Sequence, residues 1–387
     1  MKYLIITALA LTLPLTAQAQ APAPAPIKTN GALLSLKLEM QQSIKKGNAY
    51  LLSKQHKDGY WGNHEFPAFT ALALRSLLSD PSLDTKKPLP ENYVKALDWI
   101  KSQQKEDGGI YSVGLATYNT STSMMAFMAA DPAKYKETIL KARAFLISQQ
   151  TDWGVKGKLD SEFDGGIGYG GSYDHSDLSN THLALEALYH SRTLATDTGT
   201  TKQPELDWGA ALEFISKCQN LEATNKMEKT GNDGSFVYFP GNSKAGEQVG
   251  KDGKVSLRGY GSMSYAGLLS LIYSDLTPDD PRVKTVIEWL SKNYTLKENP
   301  GLGGQGLFYY YNVMAKTLAA ANMPTLQGTD GLKIQWREEL GAKILSSQRE
   351  DGSWINTTAS RWMENDPILV TSYAVMAMEQ IHATIPQ

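Results

Sequence analysis

"SKQHKDGYWGN", residues 53–63, and "SQREDGSWIN", residues 347–356, share the phrase Gln-x-x-Asp-Gly-x-Trp, once near each end of the chain. Around them the chain repeats itself. "KGNAYLLSKQ" (46–55), "KALDWIKSQQ" (95–104), "KARAFLISQQ" (141–150) and "AALEFISKCQ" (210–219) each place an aromatic and an aliphatic residue ahead of a glutamine. Two weaker copies follow: "TVIEWLSKNY" (285–294) has tyrosine for glutamine, and "LGAKILSSQ" (340–348) lacks the aromatic residue. All six have helical spacing and good helix formers.

Each copy leads through a glycine turn to a second segment of different character, such as "FTALALRSLL" or "NTSTSMMAFMAA". These second segments are rich in Ala, Met and Ser and nearly uncharged, as helices buried on most sides must be. Six amphipathic helices alternating with six buried ones predict an all-α, (α/α)6 toroid of about twelve helices. An outer ring encloses an inner one, and the first and last copies meet to close the circle. In the phrase itself, glycine takes the backbone out of the helix, aspartate caps the turn, and glutamine and tryptophan lock neighbouring repeats.

The N-terminus reads separately. Residues 1–19 carry one charge, Lys2, then an apolar run and Ala17-Gln18-Ala19, the pattern of a cleaved secretory signal. Residues 20–29 form an Ala/Pro-rich spacer, and 30–387 is expected to be one toroid domain of six helix pairs. Cleavage deletes Lys2 and no acid, leaving 37 basic against 40 acidic residues and a formal charge of −3. That balance argues against nucleic acid as a partner. No stretch is apolar for long enough to span a membrane, so a periplasmic or secreted protein is expected. Cys218 is the only cysteine, so no internal disulfide forms.

The repeat resembles the QW motif of squalene and oxidosqualene cyclases, whose fold is related to prenyltransferase β subunits. Lys46, Gly47, Tyr50, Leu51, Gln55, Gly59 and Trp61 match it in full, and the second copy departs at Ile110, where tryptophan belongs. The resemblance implies the toroid and, less specifically, a terpenoid ligand. Its catalytic residues do not carry over. The DxDD acid motif with which squalene cyclases protonate an alkene is absent. Asp279 and Asp280 read as the cap of an outer helix. Cys218 has no acid or histidine at zinc-ligand spacing, as the prenyltransferase site requires, and "GLGGQGLF" (301–308) lacks the cysteine of a thioester turn. His182, Glu186 and His190 share one helical face without the order of a metal motif. No cofactor or metal is expected.

If every inner helix starts after its glycine turn, all six starts lie on one rim, where their positive dipole ends attract anions. Asp174, His175 and Asp177 stand there as candidate catalytic groups, although both aspartates are equally suited to capping the third inner helix. Tyr118, Asn119, Arg258, Tyr260, Tyr309, Tyr310, Arg361 and Trp362 are the candidate ligand-binding residues. Three functions fit this rim: a cyclase-like toroid that binds an isoprenoid without the usual acid, a polysaccharide lyase acting on an acidic glycan, and a scaffold that binds a peptide. An apolar, aromatic cavity favours the first; a polar open cleft favours the other two.

Overall fold

The computed structural model describes residues 31–170, 175–195, 203–250 and 253–386. The expected signal peptide and spacer, Tyr173 and Asp174 lie outside the described residues.

The outer helices are α1 (Gly31–Ser53), α3 (Glu91–Ser102), α5 (Lys136–Ser148), α7 (Trp208–Lys217), α9 (Pro281–Lys292) and α11 (Trp336–Ser346). The inner helices are α2 (Pro67–Leu78), α4 (Ala116–Ala130), α6 (Leu178–Ser191), α8 (Gly261–Tyr273), α10 (Leu307–Ala320) and α12 (Pro367–Thr384). Each inner helix packs on the next, and α12 returns to pack on α2, so the inner ring is closed. Two short antiparallel hairpins decorate it: β1 (Glu247–Val249) with β2 (Val255–Leu257), and β3 (Leu326–Gln327) with β4 (Lys333–Ile334).

The two helix classes bury different shares of their surface. In α9 the buried residues are Val283, Val286, Trp289 and Leu290, one stripe of an otherwise charged helix. In α4 every residue from Thr120 to Phe127 is buried, including three hydroxyls and a fourth, Thr122, that bonds back to the Tyr118 carbonyl. Such back-bonding satisfies Thr122 inside the ring of helices, and Thr120 Oγ1 accepts from the Ile110 N–H, whereas the Ser121 and Ser123 hydroxyls are buried without a partner among the described residues.

The repeated phrase works as a joint. Gln55 Nε2 donates to the carbonyl of Gly59 in its own turn at 3.0 Å and to that of Asn92 on α3 at 2.9 Å. Gln104, Gln150 and Gln219 make the same pair of hydrogen bonds, to their own glycine and to the next outer helix or, for Gln150, to its N-cap Asp207. Gln348 closes the circle by donating to Gly352 at 2.9 Å and to Ser43 on α1 at 3.0 Å. Glycine is required because φ is +100° at Gly59 and +88° at Gly352, and a Cβ there would fall 2.8 and 2.6 Å from the carbonyl oxygens of Lys95 and Lys46. Trp61 and Trp354 are fully buried, with indole N–H groups donating to Leu51 and Ile344 at the end of their own outer helices. The fifth copy, with Tyr294, has no such glutamine bond.

Candidate functional site

The first two turns of the inner helices surround a cavity of about 430 Å³ at one end of the ring. Its wall is aromatic: Phe66, Phe69, Trp362 and six tyrosines, Tyr118, Tyr169, Tyr238, Tyr260, Tyr309 and Tyr373. Leu72, Leu115, Met263, Met363 and Leu369 add to the apolar surface.

The polar atoms of this wall are mostly spent on one another. The Tyr118 and Tyr373 hydroxyls lie 3.0 Å apart, and the Tyr309 hydroxyl is 3.2 Å from His182 Nε2. Burial holds the Tyr118, Tyr260, Tyr309 and Tyr373 phenols above their ordinary range and pushes Tyr169 up to about 12, so all stay protonated at neutral pH. The wall's one carboxyl among the described residues, Glu364, accepts from the Tyr309 backbone N–H at 2.8 Å and from Asn356 Nδ2 at 2.6 Å. Burial raises its pKa.

Beneath the cavity the axis is plugged by charge. Arg75, Glu186 and Lys316 lie one to two turns further along α2, α6 and α10 than the lining residues Leu72, Ser179 and Tyr309. Lys316 Nζ bonds Glu186 at 2.7 Å and Arg75 approaches it at 3.5 Å. Burial opposes the carboxylate, but the two cations outweigh it and hold its pKa down to about 2. Glu186 is thereby committed to an ion cluster. His182, one turn above, is desolvated to a pKa of about 3 and is neutral, while His190 is exposed. No group of three potential metal ligands occurs among the described residues.

The mouth is different. Lys244 Nζ lies 4.2 Å from the ring centre of Tyr238, and the Arg361 guanidinium lies 4.5 Å from that of Trp362. Arg361 donates to Gln305 Oε1 at 2.6 Å, and neither cation has a carboxylate partner among the described residues. Desolvation and the nearby Arg361 charge lower the Lys244 pKa. Leu115, Trp362 and Met363, all on the wall, hold left-handed backbone with φ of 48°, 58° and 63°. Strain of this kind, about 1–3 kcal/mol per residue, gathers where the fold fixes a ligand-facing surface.

Several expected site residues fall elsewhere. Asn119 is fully buried and caps α2, accepting from the Ala68 N–H at 3.0 Å. Tyr310 turns outward and donates to the Thr295 carbonyl at 3.0 Å. Arg258 is exposed in a separate groove against α9. His175 packs against Phe239, ring centres 4.4 Å apart and planes tilted by 37°, and does not line the cavity. Asp177 is fully buried as the N-cap of α6, with its two oxygens accepting from the backbone and side chain of Asn180. Desolvation pushes its pKa up to about 7. Tyr118, Tyr260, Tyr309 and Trp362 do converge on the cavity. Lys244, Tyr169 and Tyr238 join them from connections whose sequence carries no helical signal, and Tyr373 from the second turn of the inner helix α12.

The expected pull of helix dipoles on anions also needs correction. Asn119, Asp177, Asn299, Glu364 and Asp366 side chains accept from the N-terminal amides of α2, α6, α8, α10 and α12. Helix ends need acceptors, and here the chain supplies its own, three of them carboxyls. Positive charge at the mouth therefore rests on Lys244 and Arg361.

The family model of the prenyltransferase alpha-alpha toroid domain matches residues 83–241 and 260–385. The chain belongs to this family. Among solved structures, a variant of type II terpene cyclase MstE from Scytonema, in complex with its product merosterolic acid A, is 13% identical. The match covers 91% of this chain and 99% of that one, with a TM-score of 0.52. A second MstE variant, holding the substrate geranylgeranyl dihydroxybenzoate, gives 12% identity over 91% and 99% of the two chains, with a TM-score of 0.52. A possible GH105 family member from Salmonella enterica is 10% identical over 90% and 94% of the chains, with a TM-score of 0.50. At these identities the likeness shows the toroid fold alone. No curated protein matches. The family model leaves 242–259 unmatched, so Lys244 belongs to a stretch outside the shared toroid. No helix among the described residues is long and apolar enough to cross a membrane.

Proposed function

We propose that this toroid holds an isoprenoid-type ligand, with its apolar chain in the central cavity and an anionic head at the mouth against Lys244 and Arg361. The carrying observation is the contrast between a wall whose polar atoms mostly bond one another and two mouth cations without acid partners among the described residues. An apolar chain displaces water from such a wall while leaving the Tyr118–Tyr373 and Tyr309–His182 bonds intact, and a volume of about 430 Å³ lies in the ordinary range for small-molecule sites. A head-group anion relieves the repulsion between two nearby cations. The isoprenoid-bearing ligands of MstE support the reading by analogy of fold.

The reading does not include proton-initiated cyclisation of squalene. Glu364 is engaged by the start of α10 and Asp177 by the start of α6, so neither carboxyl is free to deliver a proton to an alkene. The lyase reading has less support, since Asn119, His175 and Arg258 do not face the cavity. The pattern of residues 1–19 supports export, and N-terminal sequencing of the mature protein is expected to begin at Gln20.

Thermal-shift titration tests the ligand class. Farnesyl phosphate and geranylgeranyl-substituted benzoate are expected to raise Tm more than farnesol or geranylgeraniol. Lys244→Ala and Arg361→Ala should each erase that difference while leaving the shift given by the alcohols. If no prenyl compound raises Tm, the cavity does not hold isoprenoids.

A further inference from the structure

A second depression, of about 540 Å³, lies between α9 and the segment around β1 and β2. Part of its wall, Gln248 and Arg258, comes from the stretch that the family model leaves unmatched. Its hydrogen-bonding groups are spent in the opposite way from those of the central cavity. The Arg258 backbone is fixed at both ends, its N–H donating to Gly246 and its carbonyl accepting from Ser243 Oγ. Its guanidinium has no acceptor among the described residues. Trp289 packs against the core but its indole N–H is likewise without an acceptor. Asn293 uses its Nδ2 on the Trp289 carbonyl at 2.8 Å, and its Oδ1 has no donor among the described residues. Asn232 accepts the Glu222 N–H through Oδ1, and its Nδ2 has no acceptor among the described residues. Gln248 reaches Ser256 Oγ only at 3.5 Å, the limit of a hydrogen bond.

The charges of the wall balance: Arg258 and Lys292 against Asp233 and Glu288, with Lys292 and Glu288 3.7 Å apart. A polyanion gains little there, and an apolar chain would strip water from every unspent donor at about 1–3 kcal/mol each. Guanidinium, amide and carboxylate groups each present paired polar atoms that suit adjacent hydroxyls on one ring, and an indole offers an apolar edge beside its N–H. We propose that this groove binds a short neutral oligosaccharide, independently of the ligand in the central cavity.

Isothermal titration of the mature protein with cellohexaose, maltohexaose, chitohexaose and, separately, oligogalacturonate tests this. At least one neutral oligomer is expected to bind with a Kd of about 0.1–1 mM. Arg258→Ala and Asn293→Ala change exposed side chains and should weaken that binding at least about fivefold, with unchanged far-UV circular dichroism and Tm. Trp289→Phe, which retains the ring packing, should weaken it as well. Arg361→Ala, at the cavity mouth, should leave it unchanged. The proposal is overturned if no neutral oligomer binds below about 10 mM, if only oligogalacturonate binds, or if the groove variants bind as the wild type does.

Discussion

Replacing Trp354 by alanine tests whether the repeated phrase closes the ring. The side chain is fully buried, its indole N–H donates to the Ile344 carbonyl at 2.8 Å, and its backbone N–H donates to Thr371 Oγ1 at 3.0 Å. Its ring presses on Gly47 of α1, where a Cβ would fall 2.9 Å from Cζ3. On that side the cavity left by alanine is bounded by glycine backbone, which has no side chain to fill it. The cost should therefore reach the upper part of the range of about 3–5 kcal/mol for such truncations. Trp354→Phe keeps most of the ring and loses only the N–H. Because the Ile344 carbonyl still accepts from the Ser347 N–H and Oγ, that loss should add only about 1 kcal/mol to a small packing cost. Urea unfolding followed at 222 nm gives both values, and limited proteolysis should show α1 cut faster in the alanine variant. A Trp354→Ala protein within about 1 kcal/mol of wild type, at unchanged m-value, would refute the closing role.

Three further outcomes follow from the buried charges and the missing acid. Glu379 is buried with neither carboxyl oxygen hydrogen-bonded, and desolvation raises its pKa well above the ordinary value. A raised carboxyl contributes stability below its unfolded pKa and loses it as pH rises, so Glu379→Gln should be more stable than wild type at pH 8, with the gap closing toward pH 4. His182, lowered to about 3, acts oppositely: its stability is present above about pH 6.5 and is lost on acidification at up to roughly 1.4 kcal/mol per pH unit. His182→Gln should flatten stability against pH between about 4 and 6, and an unchanged slope would show that the imidazole is not the titrating group. Mature protein incubated with squalene in detergent should yield no cyclic hydrocarbon by mass spectrometry; a product lost on Asp177→Asn would make that carboxyl the acid.

The architecture was legible because repetition multiplies weak signals. A single "KALDWIKSQQ" is only an amphipathic helix, but six copies alternating with six nearly uncharged segments leave a double ring as the arrangement that buries every inner face. What escaped the sequence was the length of α1, which begins at Gly31, fifteen residues before its repeat copy at Lys46. That extension follows no repeat pattern. Its partners are tertiary: Met40 and Leu36 pack against Gly341, and Lys37 Nζ donates to the Ile385 carbonyl at 2.7 Å.

The candidate site was less legible, for a reason particular to helix starts. Position in sequence places a residue near the rim but does not say whether its side chain faces the cavity or turns back to satisfy backbone. Asn119, Asp177, Tyr118 and Tyr260 all precede or open inner helices, yet the first two are consumed as acceptors for N–H groups and the others face the cavity. A residue able to accept at a buried helix start is needed there, because an unmet amide costs about 1–3 kcal/mol. Tyr260, the N-cap of α8, makes no side-chain cap bond, and Tyr118 in the first turn of α4 bonds Tyr373 instead, so both phenols can be turned inward. The same argument relocates the charge. Once the chain's own carboxyls have answered the helix ends, the cations at the two depressions that have no carboxylate partner among the described residues stand on connections: Lys244 and Arg361 at the mouth and Arg258 in the outer groove. The repeated inner helices α4, α10 and α12 thus supply phenols to the cavity wall, while these three cations of the candidate sites come from connections that no repeat announces.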